Sequence, residues 1–281
     1  MNRRLVSLVG AILAVLIIAA SCSPDERRTA APSPTSATDP SRSPTTVELT
    51  VYGAASLRDA LGAIMTAYEA RAPGITLTIA TDSSATLRAQ IEQGAPADLF
   101  LSADQGSPQT LVEAGLADGD AVDFATNALT IVVPSGNPAG IAGAEDLATP
   151  GVKIVAAGDD VPISGYARDV VARLAALDGF PADFAAAYAA NVVSREENVR
   201  AVLAKVELGE ADAAIVYVTD ARSSELARAI AIPPEANVAP VYAGVVVKTS
   251  SHGAEAHALL DWLAGPAGAA ILATVGFGSP P

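Results

Sequence analysis

The chain has 281 residues, 51% of them hydrophobic, and its 17 Lys and Arg against 31 Asp and Glu give a net charge of -14. This length and hydrophobic content exclude disorder of the whole chain and indicate one large core or two smaller ones. The negative charge repels phosphate backbones, so we expect no nucleic-acid partner. The single cysteine excludes an intramolecular disulfide and a cysteine-rich zinc site.

The N-terminus has the layout of a secretory signal. Arg3 and Arg4 precede a largely apolar run that ends in small residues before Cys22, which predicts a signal peptide over residues 1–21. The residues before Cys22 are similar to the lipobox of bacterial lipoproteins, although Ala19 stands where that motif usually has leucine. We therefore expect a lipidated Cys22. An uncleaved transmembrane anchor is the alternative interpretation of the run.

Residues 22–46 are rich in Pro, Ser and Thr, a composition that cannot build a core and is typical of a tether. Such a spacer keeps a folded body close to the membrane. The expected location is therefore outside the cytoplasm, anchored to the cell membrane through the lipid on Cys22.

From Val47 onward, strand and helix patterns alternate, which predicts an α/β protein. A first unit is followed by turn-forming residues at 134–138, which suggest a crossing between two lobes, and then by a second unit. A last strand and helix return to the first. We expect lobe 1 to comprise residues 47–128 and 239–281, lobe 2 residues 129–238, and the ligand cleft to lie between them.

The same patterns predict the bounds of the individual elements. Strands are predicted at 47–51, 75–80, 98–102, 129–133, 152–156, 213–218 and 241–247. Helices are predicted at 57–68, 85–93, 166–177, 197–208 and 254–263, and the second of them is expected to end before a left-handed Gly94.

Catalytic signatures are missing from the sequence, which contains no GxSxG, HExxH or GxxxxGK[ST] motif. The two histidines, His252 and His257, are poorly spaced to bind a metal together. A hydrolase that used Ser84 or Ser164 would need a base that no nearby motif supplies. We expect neither an enzyme nor direct metal ligands.

Three strand-to-helix junctions carry small polar residues at the predicted helix start, at 51–59, 79–87 and 158–166. For Ser56 the simplest interpretation is an N-cap, with Asp59 completing a capping box. The alternative is a ligand site, because several helix starts that converge on one cleft would bind a compact anion through backbone N–H groups and helix dipoles.

Several segments resemble the periplasmic molybdate-binding proteins of molybdate ABC importers. They are 54–57, 83–87, 197–200, 215–217 and, most specifically, the GAPADLFLSAD segment at 94–104. The resemblance implies a two-lobed periplasmic-binding-protein fold, type II-like, with a two-crossing hinge. It also implies a monomer without cofactor that captures molybdate, and tungstate as well, for an ABC permease. A binding protein for sulfate or another small anion is the alternative.

The resemblance also implies the ligand contacts. It places oxyanion-binding hydroxyls on Ser56, Ser84 and Tyr217 and backbone donors on Ile163 and Val199. The sequence departs from the family pattern around Ile163, where Ser164 could supply the contact instead. Without the resemblance, Tyr217 would be read as an aromatic residue packed at the hinge. The carboxylates that lie near these motifs are expected to be solvated turn residues, since they would repel a dianion; they are Asp82, Asp159 and Asp160.

Overall fold

The computed structural model describes residues 46–281. The predicted signal peptide, Cys22 and all of the predicted tether except Thr46 lie outside the described residues. The strands are β1 Val47–Ala54, β2 Ile75–Asp82, β3 Leu99–Ser102, β4 Val122–Thr126, β5 Leu129–Pro134, β6 Ile154–Ala157, β7 Val192–Glu196, β8 Ala214–Tyr217, β9 Ala227–Ile230 and β10 Val241–Val246. The helices are α1 Arg58–Arg71, α2 Ser84–Glu92, α3 Gly106–Glu113, α4 Pro162–Ala175, α5 Phe184–Ala190, α6 Val199–Glu207, α7 Val218–Arg222, α8 Gly253–Ala264 and α9 Pro266–Thr274.

The strands form two groups. One is a five-stranded sheet in the order β2-β1-β3-β10-β4, in which β1 runs parallel to β2 and β3 while β10 is antiparallel to β3 and β4. The other contains the antiparallel sheet β8-β5-β9 and the parallel pair β6-β7, joined by a parallel bridge between Ile154 and Ala213. The elements around the five-stranded sheet are called the first half here, and those from β5 to β9 the second half.

The crossing between the halves differs from the sequence-based expectation. The chain leaves the five-stranded sheet after β4 and enters the second half at β5, so residues 127–128 make the first crossing. The turn-forming cluster at 134–138 follows β5 and lies within the second half. That prediction was wrong because turn composition marks a reversal of the chain, not the sheet to which the next strand belongs.

Local sequence explains how the first half begins. Leu49 and Val51 in β1 are buried between more exposed neighbours, the alternation expected of a strand with one covered face. Helix α2 is followed by Gly94, whose φ of +87° is the left-handed conformation predicted there. Both elements thus end close to the positions that the sequence indicates.

The two halves share a continuous core that includes buried residues from Leu49 to Phe277. A smaller cluster around Phe100 and Leu111 packs α2 and α3 on the first sheet. Between residues 46 and 281, no single helix is long and apolar enough to cross a membrane; α8 and α9 pass that test together but are bent by 61°.

Candidate functional site

All five residues predicted to bind the anion line one small cavity between the two halves. Ser56 and Ser84 come from the first half and Ile163, Val199 and Tyr217 from the second. Ser56, Ser84 and Val199 follow the carboxyl ends of β1, β2 and β7, Ile163 lies in the helix that follows β6, and Tyr217 is the last residue of β8. The carboxyl ends of strands are the usual location of ligands in α/β proteins. The cavity measures about 10 Å³, close to one water-sized sphere, and so favours a compact ion over an extended organic molecule.

Three helices begin at this cavity. They are α2, α4 and α6, of 9, 14 and 9 residues, and their first residues line it. The N-terminus of a helix carries unpaired N–H groups and a partial positive charge. Among the described residues that line the cavity, none has a charged side chain. An anion in this cavity would therefore be attracted by oriented dipoles and not by charged side chains.

Ser84 is oriented by a backbone contact. Its Oγ accepts a hydrogen bond of 3.0 Å from the N–H of Ala103, just after β3. The adjacent Ser83 is the N-cap of α2, because its Oγ accepts from the N–H of Thr86 at 3.1 Å and donates to the Thr86 hydroxyl at 2.8 Å. Both the lone pair and the hydrogen of the Ser83 hydroxyl are thus used within α2. The Ser84 hydroxyl only accepts a bond from the protein, so its hydrogen is available to a ligand in the cavity.

Ser56 does not act as the helix cap considered above. Helix α1 begins after Leu57 without a side-chain cap, and Ser56 Oγ lies 2.9 Å from the Tyr242 hydroxyl. Asn127 Nδ2 donates to that hydroxyl at 3.4 Å and to Thr219 Oγ1 at 2.9 Å. Either hydroxyl of the Ser56–Tyr242 pair can donate. When Tyr242 is the donor, its hydrogen lies on Ser56 Oγ while its oxygen accepts from Asn127. The Ser56 hydrogen is then free to point into the cavity.

The Tyr217 hydroxyl is buried, yet it has no hydrogen-bond partner among the described residues. Its ring packs edge-on against Tyr242 and Tyr166, with centroids 5.7 and 6.4 Å away, so the aromatic packing and the cavity-facing position coexist. Burial raises the pKa of this hydroxyl well above its usual value, which keeps it protonated. An unpartnered buried donor is costly, and an anion in the cavity would supply its acceptor.

The backbone donors follow from how α4 and α6 begin. In α6 the N-cap Asn198 accepts from the N–H groups of Arg200 and Ala201, both at 3.0 Å, which leaves the Val199 N–H outside the cap. In α4 Pro162 occupies the first position and has no N–H, so Ile163 carries the first amide of that helix. Both side chains are apolar, and only their backbones can donate.

Ser164 does not replace Ile163 at the cavity. Its Oγ donates to the carbonyl of Ala157 at 2.8 Å and its N–H donates to the carbonyl of Val161 at 2.9 Å. Both donors of Ser164 are thus used inside the second half, which favours the Ile163 amide for the loop contact. Neither Ser84 nor Ser164 has a histidine among its hydrogen-bond partners in the part of the chain that the structure describes.

The three nearby carboxylates behave differently from one another. Asp159 is exposed and lies 3.2 Å from Arg195 and 3.6 Å from Arg168, and Asp160 is also exposed. Asp82 is not simply solvated, because its Oδ1 accepts from the N–H of Ser83 at 2.7 Å and from Asn198 Nδ2 at 3.2 Å. The second of these bonds joins the two halves next to the cavity.

Sequence reasoning missed the groups that orient the site. Tyr242 and Asn127 lie in segments without a recognisable motif, and the Ala103 N–H reaches Ser84 only through the fold. Asn198 was detectable, because an Asn just before a helical apolar pattern is a usual N-cap signal. Over residues 46–281 there is no cluster of three or more His, Cys, Asp or Glu that could hold a metal ion.

The sequence of this chain is similar to those of known proteins. The family described as bacterial extracellular solute-binding protein matches residues 49–278. The molybdate-binding protein ModA of Mycobacterium tuberculosis is 36% identical over 233 residues, which cover 83% of this chain and 85% of that protein.

Two solved structures are similar in fold. The substrate-binding domain of a putative molybdenum ABC transporter from Clostridium difficile superposes with a TM-score of 0.63 at 28% identity, covering 84% of this chain and all of that one. The sulfate-binding protein SubI of M. tuberculosis has a TM-score of 0.72 at 22% identity, covering 82% and 86%. Proteins named for molybdenum transport and for sulfate binding thus share this fold.

Proposed function

This chain belongs to the family of bacterial extracellular solute-binding proteins, and from that premise we propose that it captures molybdate, and tungstate as well, outside the cytoplasm. The observation that carries the proposal is the buried Tyr217 hydroxyl, which has no hydrogen-bond partner among residues 46–281 and belongs to a residue that lines the cavity where three helices begin. A tetrahedral dianion would accept hydrogen bonds from Ser56, Ser84 and Tyr217 and from the backbone N–H groups of Ile163 and Val199. The protein would act as a binding protein and not as an enzyme.

The donors explain selectivity against phosphate. With Ser84 accepting from Ala103 and Ser56 accepting from Tyr242, both serines would present hydrogens to the ligand, as would the two amides and Tyr217. A fully deprotonated oxyanion can accept at every oxygen. Phosphate that retains a proton would bring an O–H without an acceptor, and an unpaired buried polar group costs about 1–3 kcal/mol. Molybdate and tungstate are nearly equal in size, and we expect this site to take both.

Binding would work by closure. We propose that residues 47–128 with 239–281 form one lobe and residues 129–238 the other, a division supported by the separate sheets. An anion held by donors from both lobes stabilises the closed arrangement. The closed protein would then deliver its ligand to an ABC permease.

Anchoring is proposed from the sequence. A lipid on Cys22, followed by a tether over residues 22–46, would hold the binding protein near the permease as a monomer. The check is fractionation of cells that express the full chain or Cys22→Ser. The wild type should sediment with membranes and the variant should not; equal membrane association of both would contradict lipid anchoring.

The experiment that tests the ligand is thermal unfolding of the full-length chain with molybdate, tungstate, sulfate or phosphate at matched ionic strength. A ligand at a hundredfold excess over its Kd stabilises the native state by about 2.7 kcal/mol, enough to move Tm visibly. We expect molybdate and tungstate to raise Tm and phosphate not to. A shift with sulfate alone would reassign the ligand, and no shift with any oxyanion would overturn the proposal.

A further inference from the structure

Arg200, in the first turn of α6, joins the two halves. Its Nη2 pairs with Oδ2 of Asp59 in the first half. Its Nε lies 2.8 Å from Oδ1 of Asp220 in the second half, and its Nη1 donates to Ser223 Oγ at 2.8 Å. The planar guanidinium, with donors on several edges, suits such a divided contact.

The two carboxylates are held very differently. The Asp220 side chain is fully buried and that of Arg200 is 15% exposed, whereas the Asp59 side chain is 48% exposed. Neither oxygen of Asp220 has a hydrogen bond of good geometry among the described residues, so its charge depends on Arg200. A buried pair of this kind is expensive to break, while a half-exposed pair is weak and screened by salt. We therefore expect the contact within the second half to persist where Asp220 is ionised, and the contact with Asp59 to be the one that releases.

Contacts between the halves flank the Val199 amide on both sides. Before it, Asn198 Nδ2 donates to Asp82 of the first half at 3.2 Å; after it, Arg200 reaches Asp59. The first turn of α6 is thus fixed against the first half immediately around a proposed ligand donor.

We propose that Arg200 is a positioning residue, which couples closure of the halves to anion binding by tying Asp59 to the buried Asp220 and so holding the Val199 N–H at the cavity. The inference rests on the proposed function and goes beyond its ligand contacts, since none of these three charged side chains lines the cavity. Arg200 would remain on Asp220 when the halves separate and would engage Asp59 when they close.

The test removes the releasable contact alone. Asp59→Asn takes away the pairing charge of the first half and leaves the Arg200–Asp220 pair intact. The matched control is Asp118→Asn, which removes one negative charge from an exposed pair with His257 inside the first half. Molybdate affinity of the full-length proteins is measured by calorimetry, and amide hydrogen exchange is followed at residues 198–201 and in β5.

We expect Asp59→Asn to weaken molybdate binding about fivefold or more, within the usual range of coupling between sites, and Asp118→Asn to leave it unchanged. In ligand-free Asp59→Asn protein, exchange should accelerate at residues 198–201 and not in β5, a pattern that general destabilisation would not produce. Arg200→Lys should weaken binding in the same direction, because one ammonium group cannot replace the divided contact.

Wild-type affinity and wild-type exchange in Asp59→Asn would overturn the coupling. If wild-type protein bound no oxyanion, the proposed function would fail instead. The exchange comparison in ligand-free protein would still decide whether Arg200 and Asp59 hold the halves together.

Discussion

The hydroxyl of Ser84 accepts the N–H of Ala103 at 3.0 Å, and both residues are buried. Ser84→Ala would leave that N–H without an acceptor, so we expect it to lower the unfolding free energy by about 1–3 kcal/mol and to weaken anion binding by about 1.5–3 kcal/mol. Denaturant unfolding of the ligand-free protein and calorimetry with molybdate would measure the two effects.

Ser56→Ala tests the second serine hydroxyl that is proposed to bind the anion. The Tyr242 hydroxyl keeps the bond that it accepts from Asn127 but loses Ser56 as the acceptor of its hydrogen, so we expect a stability loss of about 1–3 kcal/mol, as for Ser84→Ala, and a similar loss of affinity. Unchanged affinity in both variants would remove the two serines from the ligand site.

Tyr217→Phe should separate binding from stability. The substitution removes a buried hydroxyl that has no hydrogen-bond partner within residues 46–281, so we expect the ligand-free protein to be as stable as the wild type or more stable by about 1 kcal/mol. Molybdate binding should nevertheless weaken by about 1.5–3 kcal/mol, because a charge-assisted hydrogen bond is lost. Tyr188→Phe, the same chemical change away from the cavity, serves as the control. Full affinity in Tyr217→Phe would refute the donor role.

Asp220 should make stability depend on pH. Burial raises the pKa of Asp220 to about 7, against the opposing effect of Arg200; Asp59, Tyr217 and Tyr242 also face it. Because the folded pKa lies above the unfolded value of about 3.9, the stabilising contribution is complete below pH ~4. It is lost as pH rises towards about 7, with a slope of at most about 1.4 kcal/mol per pH unit.

Asp220→Asn cannot titrate and should lack this component. The measurement is the difference in unfolding free energy between wild type and Asp220→Asn from pH 5 to pH 8. A difference that stays constant over that range would mean that Asp220 titrates outside it.

Carboxylates should slow the entry of the anion. A wider cavity of about 380 Å³ adjoins the ligand cavity at Val161 and Pro162. It is lined by four aspartates and one arginine, namely Asp104, Asp159, Asp160, Asp169 and Arg168. We expect the association rate of molybdate to rise with ionic strength, since the Debye length falls from about 30 Å at 0.01 M to about 8 Å at 0.15 M.

Asp160→Asn should accelerate association at low salt by several-fold, whereas the remote Asp118→Asn should not. Stopped-flow measurements at two salt concentrations test both statements. A rate that decreases with salt would show that local dipoles, and not these carboxylates, dominate the encounter.

The long periodic elements were predictable because each carries its own pattern of burial. The predicted helix at 57–68 corresponds to α1, and the predicted strand at 241–247 corresponds to β10. The spacing of apolar residues in the first and the β-branched residues in the second are enough to predict each element from its own sequence. Helices α5 and α9 were not predicted; their runs of alanine, glycine and other small residues provide little amphipathic contrast. Strand β7 is only partly buried, and its alternation is correspondingly weak.

The family resemblance identified residues that line one cavity in the structure. It did not reveal which protein groups form hydrogen bonds with their hydroxyls. Ser56 matches a capping pattern, and only the approach of Tyr242 from β10, 186 residues away, gives its hydroxyl another partner. Likewise, Asp59 fits a first-turn acid on α1, and its pairing with Arg200 depends on the two halves meeting. Contacts between distant segments leave no local signal.

The position of β10 between β3 and β4 also bears on how the chain acquires its structure. Because β10 follows all the other strands in sequence, the five-stranded sheet cannot be completed until residues 241–246 are available. The strands of the second half are contiguous in sequence, so that half is able to fold first. Pairings between remote segments form slowly, and until β10 arrives β3 and β4 expose unpaired edges that favour aggregation. The first half of such a chain therefore depends on residues 241–246 to complete its sheet.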